Sequence, residues 1–168
     1  FPRSMPRFPD INAVLFDFFT LCDYPAEPDE DMIEEIRSHP SLHVAVPFST
    51  QKRSIEDPPE PLLSKFAIPV ENDGSVMAPD YASAVFPLDY ICTEGEEDGK
   101  LHGIGDVRSV MDPDGVDRRY HLLCRFRGRY YGSFALLAIL EREKTRQVRI
   151  HERILTIGNT SISVDQEG

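Results

Sequence analysis

The chain has 168 residues, 10% aromatic and 28% charged, a size that supports one domain with a core able to fold without disulfides or metal. Its formal net charge of −11 argues against indiscriminate DNA binding, because phosphate meets a field of its own sign. No apolar run reaches the ~18 residues of a membrane-spanning helix, and the opening FPRSMPRFP lacks the apolar centre of a signal peptide.

In chain order, residues 1–10 read as a disordered lead-in, with Met5 as the natural start and the four residues before it as an added remnant. Residues 11–164 read as a single globular domain and 165–168 as a tail. Residues 11–22, INAVLFDFFTLC, form a continuous apolar run that predicts a buried strand interrupted by Asp17. Asp29 caps a predicted helix with the stripe Met32, Ile33 and Ile36, and His39-Pro40 stops it. Residues 42–48, LHVAVPF, predict a second strand, and strand–helix–strand in so short a span favours a parallel pair.

A proline-broken loop then leads to residues 62–70, which predict a helix followed by a strand, or a strand alone. Glu71-Asn72-Asp73-Gly74 is a turn, with Asn72 and Gly74 suited to positive φ. Residues 75–90 carry Pro79 and Pro87 and fit an edge strand. Residues 94–100, EGEEDGK, are an acidic loop, and 102–111 have no decisive pattern. Asp112-Pro113-Asp114-Gly115 has the residues of a type I turn.

The stretch from Arg118 to Val164 is the most apolar and the most basic. Residues 1–114 carry 8 basic and 23 acidic side chains, whereas residues 115–164 carry 10 and 4. Residues 119–127, 130–141, 147–157 and 160–164 read as successive strands. Alternation sets Tyr120, Leu122, Cys124 and Phe126 opposite His121, Leu123, Arg125 and Arg127. It also sets Val148, Ile150, Glu152, Ile154 and Thr156 opposite Arg149, His151, Arg153 and Leu155. That pattern is an antiparallel meander with one dry and one wet face. The Ala and Leu content of residues 134–144 leaves strand and helix both open there. The expected fold class is α+β: a β-rich single domain whose C-terminal antiparallel β-meander packs against one or two helices.

Cys22, Cys92 and Cys124 are odd in number and far apart, with no C-x-x-C, and read as buried free thiols of a reducing compartment. The five histidines have no zinc spacing, so no metal site is expected. His121 and His151 make an acid/base pair only if their strands are neighbours.

The segment AVLFDFFTL, residues 13–21, resembles the first motif of the haloacid dehalogenase-like hydrolases. In that family an Asp ending a buried strand is the nucleophile and a Thr follows three residues later, the places held here by Asp17 and Thr20. The strand 42–48 followed by Ser49 or Thr50 resembles the phosphate-binding second motif. Lys100, Gly105-Asp106 and Asp112 resemble the lysine and the acidic metal-binding motif. The resemblance implies a phosphohydrolase with Asp17 as nucleophile and Mg²⁺ as cofactor. Phe19 stands where the family has its acid/base Asp and cannot protonate a leaving group, which implies an inactive member.

Arg125, Arg127, Arg129, Arg149 and Arg153 alternate along the predicted strands beside Tyr130 and Tyr131. Such a face suits single-stranded nucleic acid through stacking and phosphate contacts. It equally suits an acidic or phosphorylated protein partner, or the acidic first two-thirds of the same chain, through guanidinium forks. The sequence favours a non-catalytic protein–protein interaction module, intracellular (cytoplasmic or nuclear), part of a larger assembly, with no cofactor and no membrane contact. A protein partner or a second copy is the expected ligand. The hydrolase reading comes second and single-stranded nucleic-acid binding third.

Overall fold

A computed structural model describes residues 14–16, 42–52, 60–84 and 101–166. The strands before the first helix are β1 (Val14–Phe16), β2 (Leu42–Ala45) and β3 (Phe48–Ser49). Helix α1 (Glu60–Phe66) follows, then β4 (Val70–Asn72), β5 (Asp80–Tyr81), β6 (Ser83–Ala84), β7 (Leu101–Asp106), β8 (Ser109–Met111) and β9 (Asp117–Tyr120). The remainder is β10 (Leu123–Phe126), β11 (Arg129–Ser133), α2 (Phe134–Glu143), β12 (Val148–His151), β13 (Ile154–Ile157) and β14 (Thr160–Ser163). This is a β-rich α+β fold, as composition and alternation indicate.

Six strands form a mixed sheet in the order β1-β2-β7-β11-β10-β5. β1, β2, β7 and β11 are mutually parallel, as the first strand pair was expected to be, and β10 turns back antiparallel on β11. A four-stranded sheet runs β14-β13-β12-β4, and β3–β6 and β8–β9 make two short ribbons. The helix expected at residues 29–38 and the acidic loop at 94–100 lie outside the described residues.

Both faces of the six-stranded sheet are covered. Val44, Ile104, Cys124, Phe126 and Tyr131 meet Leu62, Leu63 and Phe66 of α1 on one face. Leu123 and Ile68 meet Leu136, Leu137 and Leu140 of α2, with Val148, Ile150, Leu155 and Ile157 of the four-stranded sheet, on the other. The face of residues 119–127 read as wet is therefore dry at Leu123, because α2 and the second sheet cover it. Each fully buried Leu, Ile or Phe contributes about 1.5–3 kcal/mol, and they supply most of what holds the layers together.

Close approach of α2 depends on β7, LHGIGD. A Cβ on Gly105 would collide with the Phe134 ring, and one on Gly103 would lie 2.6 Å from His43 Nδ1. The segment left open between strand and helix is helical. Ser133 caps α2 with its Oγ accepting from Leu136 N–H at 3.2 Å, and Lys144 ends it in the left-handed region.

Two expected strands are each broken in two. Residues 119–127 split at His121 and Leu122, where the chain leaves the β8–β9 ribbon and joins the large sheet. Residues 147–157 split at Glu152 and Arg153, whose φ values of 50° and 61° form a two-residue hairpin turn. Neither residue prefers positive φ. The turn is held by hydrogen bonds from Glu152 N–H to Asp73 Oδ2 (2.9 Å) and from Arg153 N–H to Ser75 Oγ (3.0 Å). The reversal resets the alternation, so Leu155 and Ile157 are buried and Ile154 is 47% exposed.

Candidate functional site

The β10–β11 hairpin sets Arg125 directly opposite Tyr130. Its turn, Arg127-Gly128, has φ values of 51° and 76°, the pair of positive values that a two-residue hairpin requires. Cross-strand neighbours share a face, and the Arg125 guanidinium lies 5.8 Å from the centre of the Tyr130 ring. Arg125 N–H donates to Pro79 O at 2.8 Å, which ties the hairpin to the edge strand β5.

Facing this pair is the loop that follows β4. Asn72 Oδ1 accepts from Gly74 N–H, Asn72 Nδ2 donates to Val76 O at 2.8 Å, and Met77 N–H donates to Gln166 O at 2.8 Å. Asp73, on the loop's other side, accepts from Ser75 N–H, Glu152 N–H and His151 Nδ1; hydrogen bonding by the Ser75 side chain, then by Glu152 N–H and Ser75 N–H, holds its carboxyl well below the usual carboxylate range. The loop is thereby fixed as a wall. Between wall and hairpin lies a groove of about 340 Å³, lined by Asn72, Gly74, Val76, Met77, Ala78, Arg125 and Tyr130. Met77 stands 77% exposed at its rim.

Within the groove Arg125 is half-buried, and its Nε is shielded from solvent with no hydrogen-bond acceptor among the described residues. The other half-buried arginines have carboxylates. Arg129 pairs with Glu60 of α1. Arg108 is bidentate to Asp106, with Nε–Oδ1 at 3.0 Å and Nη2–Oδ2 at 3.1 Å, and its guanidinium lies 4.1 Å from the Tyr81 ring centre. Burial works against the Arg108 charge, but the hydrogen bonds and charge of Asp106 outweigh it and hold the guanidinium above its ordinary pKa. Burial pushes up the phenol of Tyr81 beside it, and burial with Asp106 pushes the Cys124 thiol well above its ordinary range.

The remaining expected binding residues are dispersed. Arg125, Arg127 and Arg129 lie on the six-stranded sheet and its turn, whereas Arg149 and Arg153 lie on the four-stranded sheet and its turn. Arg127 is exposed, its guanidinium 5.3 Å from the Phe126 ring centre. Arg149 pairs with Glu71 at 3.2 Å across the neighbouring strands β12 and β4. Among the described residues, Arg129 and Arg149 thus meet acidic residues of the chain's own first two-thirds. Tyr131 is fully buried and its hydroxyl donates to Leu63 O at 3.0 Å, so its ring belongs to the core and offers no surface to a ligand. His121 and His151 lie apart, the first between β9 and β10 and the second on β12 of the other sheet, and His151 Nδ1 is 2.9 Å from Asp73 Oδ2.

Of the residues resembling the hydrolase motifs, Asp17, Thr20 and Lys100 lie outside the described residues. Ser49 is on β3, where its Oγ accepts from Gln51 N–H. Asp106 ends β7 and Asp112 lies in the β8–β9 turn. Mg²⁺ does not fit these two carboxylates, because Arg108 takes both oxygens of Asp106, and Arg118 and Arg119 take those of Asp112. Among the described residues no group of three or more His, Cys, Asp or Glu could hold a metal ion, and no helix is long and apolar enough to cross a membrane.

Sequence reasoning found Arg125 and Tyr130 but missed the wall that makes a groove of them. The Asn72-Asp73-Gly74 turn signal was the available clue. Compared with models of protein families, with curated proteins and with solved structures, the chain matches none.

Proposed function

We propose that this domain is a non-catalytic protein-interaction module that takes an acidic segment of a partner protein into the groove between Arg125 and the 72–78 loop. The observation that carries the reading is Arg125, a half-buried cation whose Nε has no acceptor among the described residues. A desolvated guanidinium left unpaired is costly, and a carboxylate from outside removes that cost. The planar fork over Tyr130 suits a carboxylate better than a point charge would. Val76, Met77 and Ala78 supply apolar contact for the carbon atoms beside it. The buried free thiol Cys124 is in keeping with action inside the cell.

The test is photo-crosslinking from Met77 in cells that make the protein, with the same crosslinker at Val116 as a distant exposed control. A discrete adduct from Met77, lost in Arg125→Ala, is expected. No adduct, or equal adducts from both positions, sinks the reading.

A second reading, a hydrolase-like domain whose activity is weakened by Phe19, draws support from the parallel pairing of β1 with β2 and of β2 with β7. Active groups of such sheets gather at the carboxyl ends of the strands, and Asp17 is the residue after Phe16. It predicts slow hydrolysis of a generic phosphate ester that disappears in Asp17→Asn. The absence of any turnover over a day sinks it.

A further inference from the structure

We propose that β14 is a strand-addition site for a second copy of this chain. Val164 N–H donates to Arg153 O at 3.0 Å, one step beyond the Ile154–Ser163 pair of the β13–β14 ladder. Antiparallel ladders alternate between hydrogen-bonded and non-bonded pairs. Ile162 and Thr160, paired with Leu155 and Ile157, therefore also turn their backbone groups inward. Ser161 and Ser163 turn theirs outward. Among the described residues β14 is the end strand of its sheet, and those N–H and C=O groups meet no other strand there.

Edge strands are ordinarily guarded against pairing. Pro79 precedes the two-residue β5, and Pro69 precedes β4. β14 has four residues with no proline, no charged side chain and no break in register.

The strand's own sequence argues for a second copy as the occupant. Two copies placed antiparallel, with Ile162 opposite Ile162, bring Ser161 of each opposite Ser163 of the other. Both outward residues of each chain then fall in hydrogen-bonded pairs. The same register sets Thr160 opposite Val164. Ile162 and Val164 already pack on the core, so the apolar face runs on across the junction. The exposed hydroxyls of Ser161 and Ser163 continue the wet face. Asp165 falls opposite Asn159, so no like charges meet directly despite the net charge of −11.

The experiment is sedimentation equilibrium of the full chain from low to high micromolar concentration, with amide exchange read residue by residue. A monomer–dimer equilibrium is expected, strengthened by salt, which screens the shared negative charge. The Ser161 and Ser163 amides should gain protection with concentration, while Ile162 is protected throughout. Ser161→Pro and Ser163→Pro each remove an outward donor and leave the β13 ladder intact. Each should weaken dimerisation about tenfold or more, with the unfolding transition of the monomer retained. A monomer at every concentration overturns the proposal, as does a dimer that persists in both proline variants. If those variants do not fold, exchange in the wild-type chain decides: Ser161 and Ser163 amides indifferent to concentration overturn it. Protection that arises only on adding a different protein also overturns it.

Discussion

Arg108 and Arg125 each lie over a tyrosine ring beside the edge strand β5, and among the described residues only Arg108 has a carboxylate. At the end of β7 the chain supplies Asp106 two residues before Arg108, and both carboxylate oxygens match the Nε–Nη2 edge of the guanidinium. In the groove Arg125 finds Asn72, whose side chain is already committed to Gly74 and Val76. The same sheet therefore holds one guanidinium in an ion pair and leaves the Nε of the other without an acceptor among the described residues. The difference lies in one acceptor rather than in burial, since both cations are half-buried.

The largest effect that would sharpen this contrast is expected at Asp106. Asp106→Asn leaves Arg108 desolvated and without its anion, and should cost about 2–3 kcal/mol in urea unfolding, toward the low end for a buried pair because Arg108 is partly exposed. Next is the β12–β13 turn, which braces the groove wall. Replacing Glu152-Arg153 with Asn-Gly supplies residues that accept positive φ and should raise stability by about 1 kcal/mol in the same measurement.

Arg125→Met should change stability by less than about 1 kcal/mol, in either direction, because it removes a cation with no partner to orphan. A loss as large as that of Asp106→Asn would break the comparison, since it would mean that Arg125 is structural. For Asp73 the signature is pH dependence. Its folded-state pKa lies below the unfolded value near 4, so its contribution is fully present above that value and is lost as pH falls through the folded one. The stability gap between wild type and Asp73→Asn should be flat from neutral pH down to about 5 and narrow below about 4.

Local pattern carried much of this fold. The apolar runs at β1 and β2, their parallel pairing, the Asp112–Gly115 turn and the β14 strand were legible because one residue type or one period decides each. The Glu152-Arg153 turn was not legible. Its backbone is set by Asp73 and Ser75, far away in sequence, against the preference of the residues themselves. Unmarked by Gly or Asn, it shifted the inferred faces of everything after it, and Ile154 was placed on the wrong side. β7 was undecided because Gly103 and Gly105 hide the strand pattern, the first making room for His43 of β2 and the second for Phe134 of α2.

The candidate site was half legible. Arg125 and Tyr130 follow from alternation along a hairpin, but their distinction from Arg129 and Arg149 rests on which carboxylates fold beside them. The five arginines look alike in sequence. Glu60 and Glu71, drawn from the acidic part of the chain, pair with two of them, and burial beside Tyr130 sets Arg125 apart from the exposed Arg127 and Arg153.

The most direct test is an NMR titration that follows the Nε–H resonances of Arg108 and Arg125 together as a glutamate-rich peptide is added. The account predicts a saturable downfield shift of the Arg125 signal, absent with the matching glutamine peptide, while Arg108 stays in place. An Arg125 signal that does not move, or that moves in step with Arg108, would contradict it.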